Sequence, residues 1–423
     1  MSAQKSRNGA IYRDELRRQA QTILYVDGLD PKKQHRTCWC ARHALTEMGM
    51  PILRSHDGSG ARIAKIKTCG SVWACPVCAA KVAELRRREL QKAMVKHTQA
   101  GGHAYLLTFT FPHYMGQTLA ELMPKFEKAR QRFQSSKGWK KVMDVGTDKK
   151  PAGTANRVGS VNSTEVTYGA ANGWHPHLHM LVFCDAGAFA EGEQDSQGRL
   201  SSKAIDYFKA QWVDKLEKAG LVDGTNRQWA EKYGLDVRGG KGAAEYIAKW
   251  GRDEKWGLSS ELTSSHAKIG TKNHWGAKDH YTPFELVAMS KVGDGHATCA
   301  FREFVTEFDG KRMLTWTRGL KDHFGINDVA DEEAAAEKEL ALPDEHCVGE
   351  LQAEQLQVLT KWGRYGEFLA YVAEFCYSDN AQQLIDDWIA QCGGGRERRG
   401  TIKMERMIVT DYAYFTKTEV LEA

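Results

Sequence analysis

Histidines 175, 177 and 179 alternate with Trp174, Leu178, Met180 and Val182 in the run GWHPHLHMLVF, residues 173–183. Period-two alternation belongs to an extended strand, so the three imidazoles share one face and the apolar residues take the other. Just ahead, Asn172-Gly173 supplies the chemistry of a tight turn, and VGSVNSTEVTYG (158–169) reads as the partner strand. Pairing about Ala171 places Glu165 across from His177, diagonally between His175 and His179. The chain is thereby committed to an antiparallel hairpin carrying imidazoles and a carboxylate on one face. Imidazoles held this close repel when protonated and waste hydrogen-bonding capacity when neutral, unless something binds them. A metal ion is the expected occupant. Two imidazoles and a carboxylate form a borderline ligand set, suited with water to Mn²⁺, Mg²⁺ or another transition metal. Zinc hydrolase chemistry is the rival, and the absence of an HExxH pattern counts against a protease.

The surrounding pattern supplies a scaffold for that hairpin. HAYLLTFTF (103–111) reads as a strand, followed by a helix with Leu119, Leu122, Phe126 and Phe133 on one stripe. After the hairpin, Ile205, Phe208, Trp212 and Leu216 mark a second helix over about 201–219, and GLDVRG (234–239) a further short strand. The order from 103 to 238 is β-α-β-β-α-β. This is an α+β class, the split-βαβ arrangement of ferredoxin- and RRM-like folds, with helices on one face of an antiparallel sheet. A helix containing AAEYIAKW (243–250) follows. Four regions are expected: a flexible N-terminus (1–37), a cysteine-rich element and helix (38–98), a catalytic domain (99–328), and an acidic linker with a helical C-terminal region (329–423).

Residues 38–80 hold five of the ten cysteines. In CGSVWACPVC (69–78), Cys75 and Cys78 form a CxxC turn, which closes readily around tetrahedral Zn²⁺, and Cys69 adds a third thiolate. The fourth ligand comes from HRTCWCARH (35–43), which offers His35, Cys38, Cys40 and His43; Cys38 or Cys40 is expected. Buried free thiols are the bland alternative, and a redox CxxC lacks its usual βαβ context.

The remaining numbers mainly exclude. The longest apolar stretch, AYLLTFTF (104–111), is far too short to span a bilayer, and the N-terminus has no secretory pattern. A cytoplasmic protein without membrane partners is expected. A net charge of +5 permits nucleic-acid binding without demanding it. ELRRREL (84–90) and GGGRERRG (393–400) offer phosphate contacts, though solvated faces explain them equally well.

In chain order, LTFTFPH, EVTYGAANGWHPHLHMLVF and AAEYIAKW resemble the three motifs of the HUH endonuclease superfamily. The closer resemblance is to the replication initiator (Rep) proteins of bacterial rolling-circle plasmids. CGSVWACPVCAAK and LTWTRGLKDHFGI (314–326) are similar to further stretches of that family, so the likeness covers roughly 35–330. It implies metal-dependent, site- and strand-specific nicking and joining of origin DNA, single-stranded or in a hairpin at the nick site. On the family pattern Tyr246 attacks a phosphodiester, keeps the 5′ end as a phosphotyrosine and leaves a 3′-OH for a host polymerase. Host helicase and single-strand-binding protein are implied partners. Lys249, three residues on, shares the helical face and would favour the phenolate or steady the phosphate. The HUH histidine pair maps onto His177 and His179, with Glu165 as third ligand. His175 is left as a neighbouring support, a DNA contact or an alternative third ligand. Trp250 stands one turn after Tyr246, where some relatives carry a second tyrosine, so a single-tyrosine enzyme is expected. A related single-strand transposase or relaxase shares the metal and tyrosine, although mobilisation relaxases place the tyrosine ahead of the histidines. A non-catalytic DNA-binding regulator would have damaged ligands, and all four residues stand.

Overall fold

A computed structural model describes residues 3–144, 153–187, 189, 193–195, 198–240, 280–336 and 345–393. Its central layer is a five-stranded antiparallel sheet built from β3 (His103–Phe109), β4 (Arg157–Gly169), β5 (Gly173–Cys184), β8 (Leu235–Arg238) and β9 (Thr315–Trp316), in the order β8-β3-β5-β4-β9. Helix α3 (Leu119–Gln134) connects β3 to β4, with the short α4 (Lys137–Met143) after it. A two-stranded ribbon of β6 (Glu193–Gln194) and β7 (Leu200–Ser201), then α5 (Lys203–Ala219) and α6 (Arg227–Tyr233), connect β5 to β8. The long β4–β5 hairpin forms because both strands alternate and the turn between them closes on Gly173, which has φ +71°. A Cβ there would stand 3.3 Å from the Tyr114 and Met115 backbone, so glycine serves both the turn and the close approach.

Helices α3 and α5 bury the stripes that their spacing predicts. Thr118 and Glu121 close a capping box at the start of α3, and Ser202 caps α5. Phe109 from the sheet meets Phe133 and Trp212 edge-on, at centroid distances of 5.5 and 5.1 Å, and Phe208 and Trp139 extend the cluster. Edge-to-face packing of large rings fixes the helices against the sheet through shape and quadrupole as well as buried area. The other face of β4 receives Val72 and Trp73 from the cysteine-rich loop, with Phe284 and Phe304.

A second sheet, in the order β10-β1-β2, joins β1 (Met50–Ser55) and β2 (Ala61–Ile63) to β10 (Glu345–Leu351). Met50, Ile52, Ile63 and Leu351 pack there with Phe368, Val372 and Ile385 from the C-terminal helices. Residues 3–24, expected within a flexible N-terminus, instead form helix α1 (Ala3–Leu24). Tyr12, Leu16, Ala20 and Ile23 are buried at helical spacing, a stripe diluted by the polar residues around it. Asp14 reaches the backbone N–H of Gly366, tying α1 to the C-terminal helices. No helix among the described residues is long and apolar enough to cross a membrane.

Candidate metal centres

Glu165 is the Cα partner of His177, Ser163 of His179, and Thr167 of His175, the register that symmetric pairing about the turn predicts. The carboxylate Oε2 of Glu165 lies 2.9 Å from Nε2 of His179 and 3.2 Å from Nε2 of His177. One ligand atom from each residue falls within 4.8 Å of the others, so the three can hold one metal ion. The other ring nitrogen of His179 lies 3.0 Å from Thr108 Oγ1 on β3. That hydroxyl fixes the ring and serves either tautomer, donating to Nδ1 or accepting from it when Nε2 is a ligand. Nδ1 of His177 is buried without a hydrogen-bond partner among the described residues. Burial alone would raise the Glu165 pKa, but the charges and hydrogen bonds of His177 and His179 hold it well below the usual carboxylate range. An ionised, buried carboxylate between two imidazole nitrogens is the donor set that a divalent ion completes.

His175 stands beside this group. Its Nε2 lies 3.0 Å from Thr110 Oγ1, and its ring stacks on His113 at 4.4 Å, with His280 at 5.2 Å. His113 closes the LTFTFPH run, a position the strand pattern left unweighed; nothing near His280 in the sequence points to the site. The His175 pKa is pushed down to about 2, by burial first and then by His177, His113 and His280. An unfolded imidazole takes its proton near pH 6.5. Between that pH and the folded value the unfolded state binds the additional proton, so the stability of the metal-free protein falls as pH falls. Urea unfolding at pH 7 and pH 5, a window above the carboxylate range, should cost the wild type more stability than His175→Gln. Equal losses would show that His175 titrates normally in the fold.

Cys40, Cys69, Cys75 and Cys78 converge, all four buried and unbridged. Their sulfurs lie 3.7 Å apart for the pairs Cys40–Cys78, Cys69–Cys78 and Cys40–Cys75. A disulfide needs about 2.05 Å. Four thiolates about 2.3 Å from a tetrahedral Zn²⁺ stand roughly 3.8 Å from one another. The cluster fits the ion and not a bridge. Cys75 caps helix α2 (Pro76–Gln99), with Pro76 in the first position and Cys78 in the first turn. Cys40 ends a short 3-10 turn, Arg36–Trp39. Cys38 lies in that turn with its sulfur directed at the Gln21 carbonyl, and the His35 ring caps the turn's start, so neither joins the cluster. Arg17 is buried nearby. Burial opposes its charge, but Asp14, Cys40, Tyr365 and Cys75 outweigh burial and raise its pKa. A cation is thus available to balance thiolates.

The two centres are neighbours through the loop between Cys69 and Cys75. Val72 and Trp73 line, with Glu165, Val166, Pro283, Phe284 and Phe304, a void of ≈ 20 Å³. Trp73 is held by its Nε1 bond to the Lys311 carbonyl and by contact with Phe308. The arginines of ELRRREL are committed within the fold: Arg86 to Glu89 and Asp331, Arg87 and Arg88 to Glu84. Tyr246 and Lys249, like the 393–400 basic run beyond its first residue, lie outside the described residues.

The family model described as "Replication protein" matches residues 60–197, a span that includes Cys69, Cys75, Cys78, Glu165 and all three hairpin histidines. A protein named "Protein rep" from Streptomyces lividans is 30% identical over 336 residues, covering 67% of this chain and 69% of that protein. A "Neomycin resistance protein" from Streptomyces cyanogenus is 28% identical over 193 residues, 41% of this chain and 43% of that protein. No solved structure matches the chain.

Proposed function

Because the chain belongs to the replication-protein (Rep) family of plasmids, we propose that it initiates replication by nicking and rejoining one DNA strand at the origin. The observation that carries this reading is the Glu165 carboxylate held between the Nε2 atoms of His177 and His179. The sheet order β8-β3-β5-β4, with α3 and α5 as connections, supports reading the domain as the HUH split-βαβ fold. Four sulfurs at tetrahedral spacing support a structural Zn²⁺ in the cysteine-rich element.

Glu165, His177 and His179 would hold a divalent ion, Mn²⁺ or Mg²⁺, whose charge would polarise the scissile phosphate. Tyr246 is the nucleophile. Its phenol has an ordinary pKa near 10, so it needs help at neutral pH; Lys249, three residues on in the sequence, favours the phenolate or steadies the phosphate. The phenol loses its proton to solvent, its oxygen attacks phosphorus to form a tyrosine O–P bond, and the P–O3′ bond breaks, the departing O3′ taking a proton from water to leave a 3′-OH. One ester replaces another, so the phosphotyrosine retains the bond energy and a later 3′-OH can reverse the step. The free 3′-OH is a primer for host polymerase, with host helicase and single-strand-binding protein acting on the displaced strand.

The test is direct. End-labelled single-stranded DNA carrying the plasmid's origin, incubated with the protein and Mn²⁺ or Mg²⁺, should yield a covalent adduct on a denaturing gel. Tyr246→Phe should bind the DNA as tightly as wild type and form no adduct. Peptide mapping of the adduct to Tyr233 or Tyr281 instead would overturn the assignment.

A further inference from the structure

Tyr114, Met115, Trp229 and Tyr233 stand 51, 46, 38 and 48% exposed. Their positions are linked. Trp229 and Tyr233 are one turn apart on α6, with ring centroids 5.3 Å from each other, and the Lys232 ammonium lies 5.0 Å over the Tyr233 ring. Asn226, which caps α6, donates its Nδ2 hydrogen bond to the Tyr114 hydroxyl at 3.0 Å. Tyr114 follows His113, whose ring stacks on His175, and His175 in turn lies 5.1 Å from the His177 ring. Ring contacts from the Glu165–His177–His179 group to His113, the chain step to Tyr114, and its hydrogen bond to Asn226 at the start of α6 thus connect the group to the helix that carries the exposed rings.

We propose that Tyr114, Trp229 and Tyr233 form a stacking platform for the bases of single-stranded DNA next to the bond that is cut. Unpaired bases present flat apolar faces on a charged backbone, and exposed aromatic rings beside a cation are their sequence-tolerant partners. A protein partner would call for a contiguous apolar patch; on α6 the rings are interspersed with Arg227, Gln228, Glu231 and Lys232. The platform explains how a strand is held in line while a single phosphate sits at the metal group. It rests on the nicking reading above.

The test measures binding apart from cutting. Fluorescence anisotropy of a labelled single-stranded origin oligonucleotide, with the full-length protein and no added divalent ion, gives the affinity. Trp229→Ala and Tyr233→Ala should each weaken binding roughly tenfold, the loss of about one stacked base, while Tyr233→Phe, which keeps the ring, should bind as wild type. With Mn²⁺ added, nicking of the same oligonucleotide by the wild type is followed as a separate readout. Affinities within twofold of wild type would overturn the platform, as would an equal loss on a duplex probe, whose paired bases cannot stack. Should the Trp229 variant fail to fold by circular dichroism, Tyr233→Ala decides. A wild type that binds but never nicks would defeat the nicking reading while leaving the affinity comparison to judge the platform.

Discussion

Replacing His177 and His179 together by alanine should abolish strand cleavage while the chain still folds and binds origin DNA. Both Nε2 atoms that converge on Glu165 are lost, and a lone carboxylate does not retain a divalent ion in competition with water. The electrostatic help removed is several kcal/mol of transition-state stabilisation, so the rate should fall at least about 10³-fold. The variant is also expected to melt somewhat earlier, because the buried Glu165 carboxylate loses the two imidazoles that hold it ionised. Adding Glu165→Gln removes that charge and should recover part of the stability without restoring cleavage. The measurement is single-turnover nicking on a gel beside a thermal melt. Cleavage by the double variant at the wild-type rate, in the presence of a chelator, would sink the metal role.

Replacing Cys75 by serine should cost more than activity. Structural Zn²⁺ binds with about 10–16 kcal/mol near neutral pH, comparable with the whole stability of a domain at about 5–15 kcal/mol. Cys75 stands at the N-cap position of α2, and its thiol is fully enclosed 3.7 Å from the Cys40 sulfur. The variant is expected to lose its zinc and to be recovered mostly as aggregate. Cys38→Ser, two residues from Cys40 but outside the cluster, should keep one zinc per chain and melt near wild type. Elemental analysis paired with a thiol count decides: purified wild type without zinc, all its thiols reactive, refutes the assignment.

Local patterns were legible where the physics is local. Alternation and the Asn172-Gly173 turn were enough to place Glu165 opposite His177, because alternation puts the imidazoles on one face and the turn fixes which residues of the partner strand lie across from them. The stripes of α3 and α5 were readable for the same kind of reason. The choice between Cys38 and Cys40 was not, since which residue of a 3-10 turn faces inward depends on what the turn packs against. His113 and His280 reach His175 only through tertiary contact, and no spacing announces it. The stripe of α1 was present but diluted, and the pairing of β1 with β10 leaves no local trace at all.

That last pairing bears on how the protein is made. Met50 opposes Leu351, so the two strands are separated by roughly 300 residues of chain. At about 5–20 residues per second, a ribosome needs tens of seconds to produce the second strand after the first has emerged. Throughout that interval β1 presents one row of backbone N–H and C=O groups without its eventual partner, together with an apolar face. The five-stranded sheet draws all its strands from residues 103–316 and is free to close first. Synthesis thus imposes an order, with the five-stranded core assembled early and the molecule's two ends joined last. A message truncated between codons 317 and 344 would release a chain with that core and a permanently open edge, a species for proteases and chaperones to find.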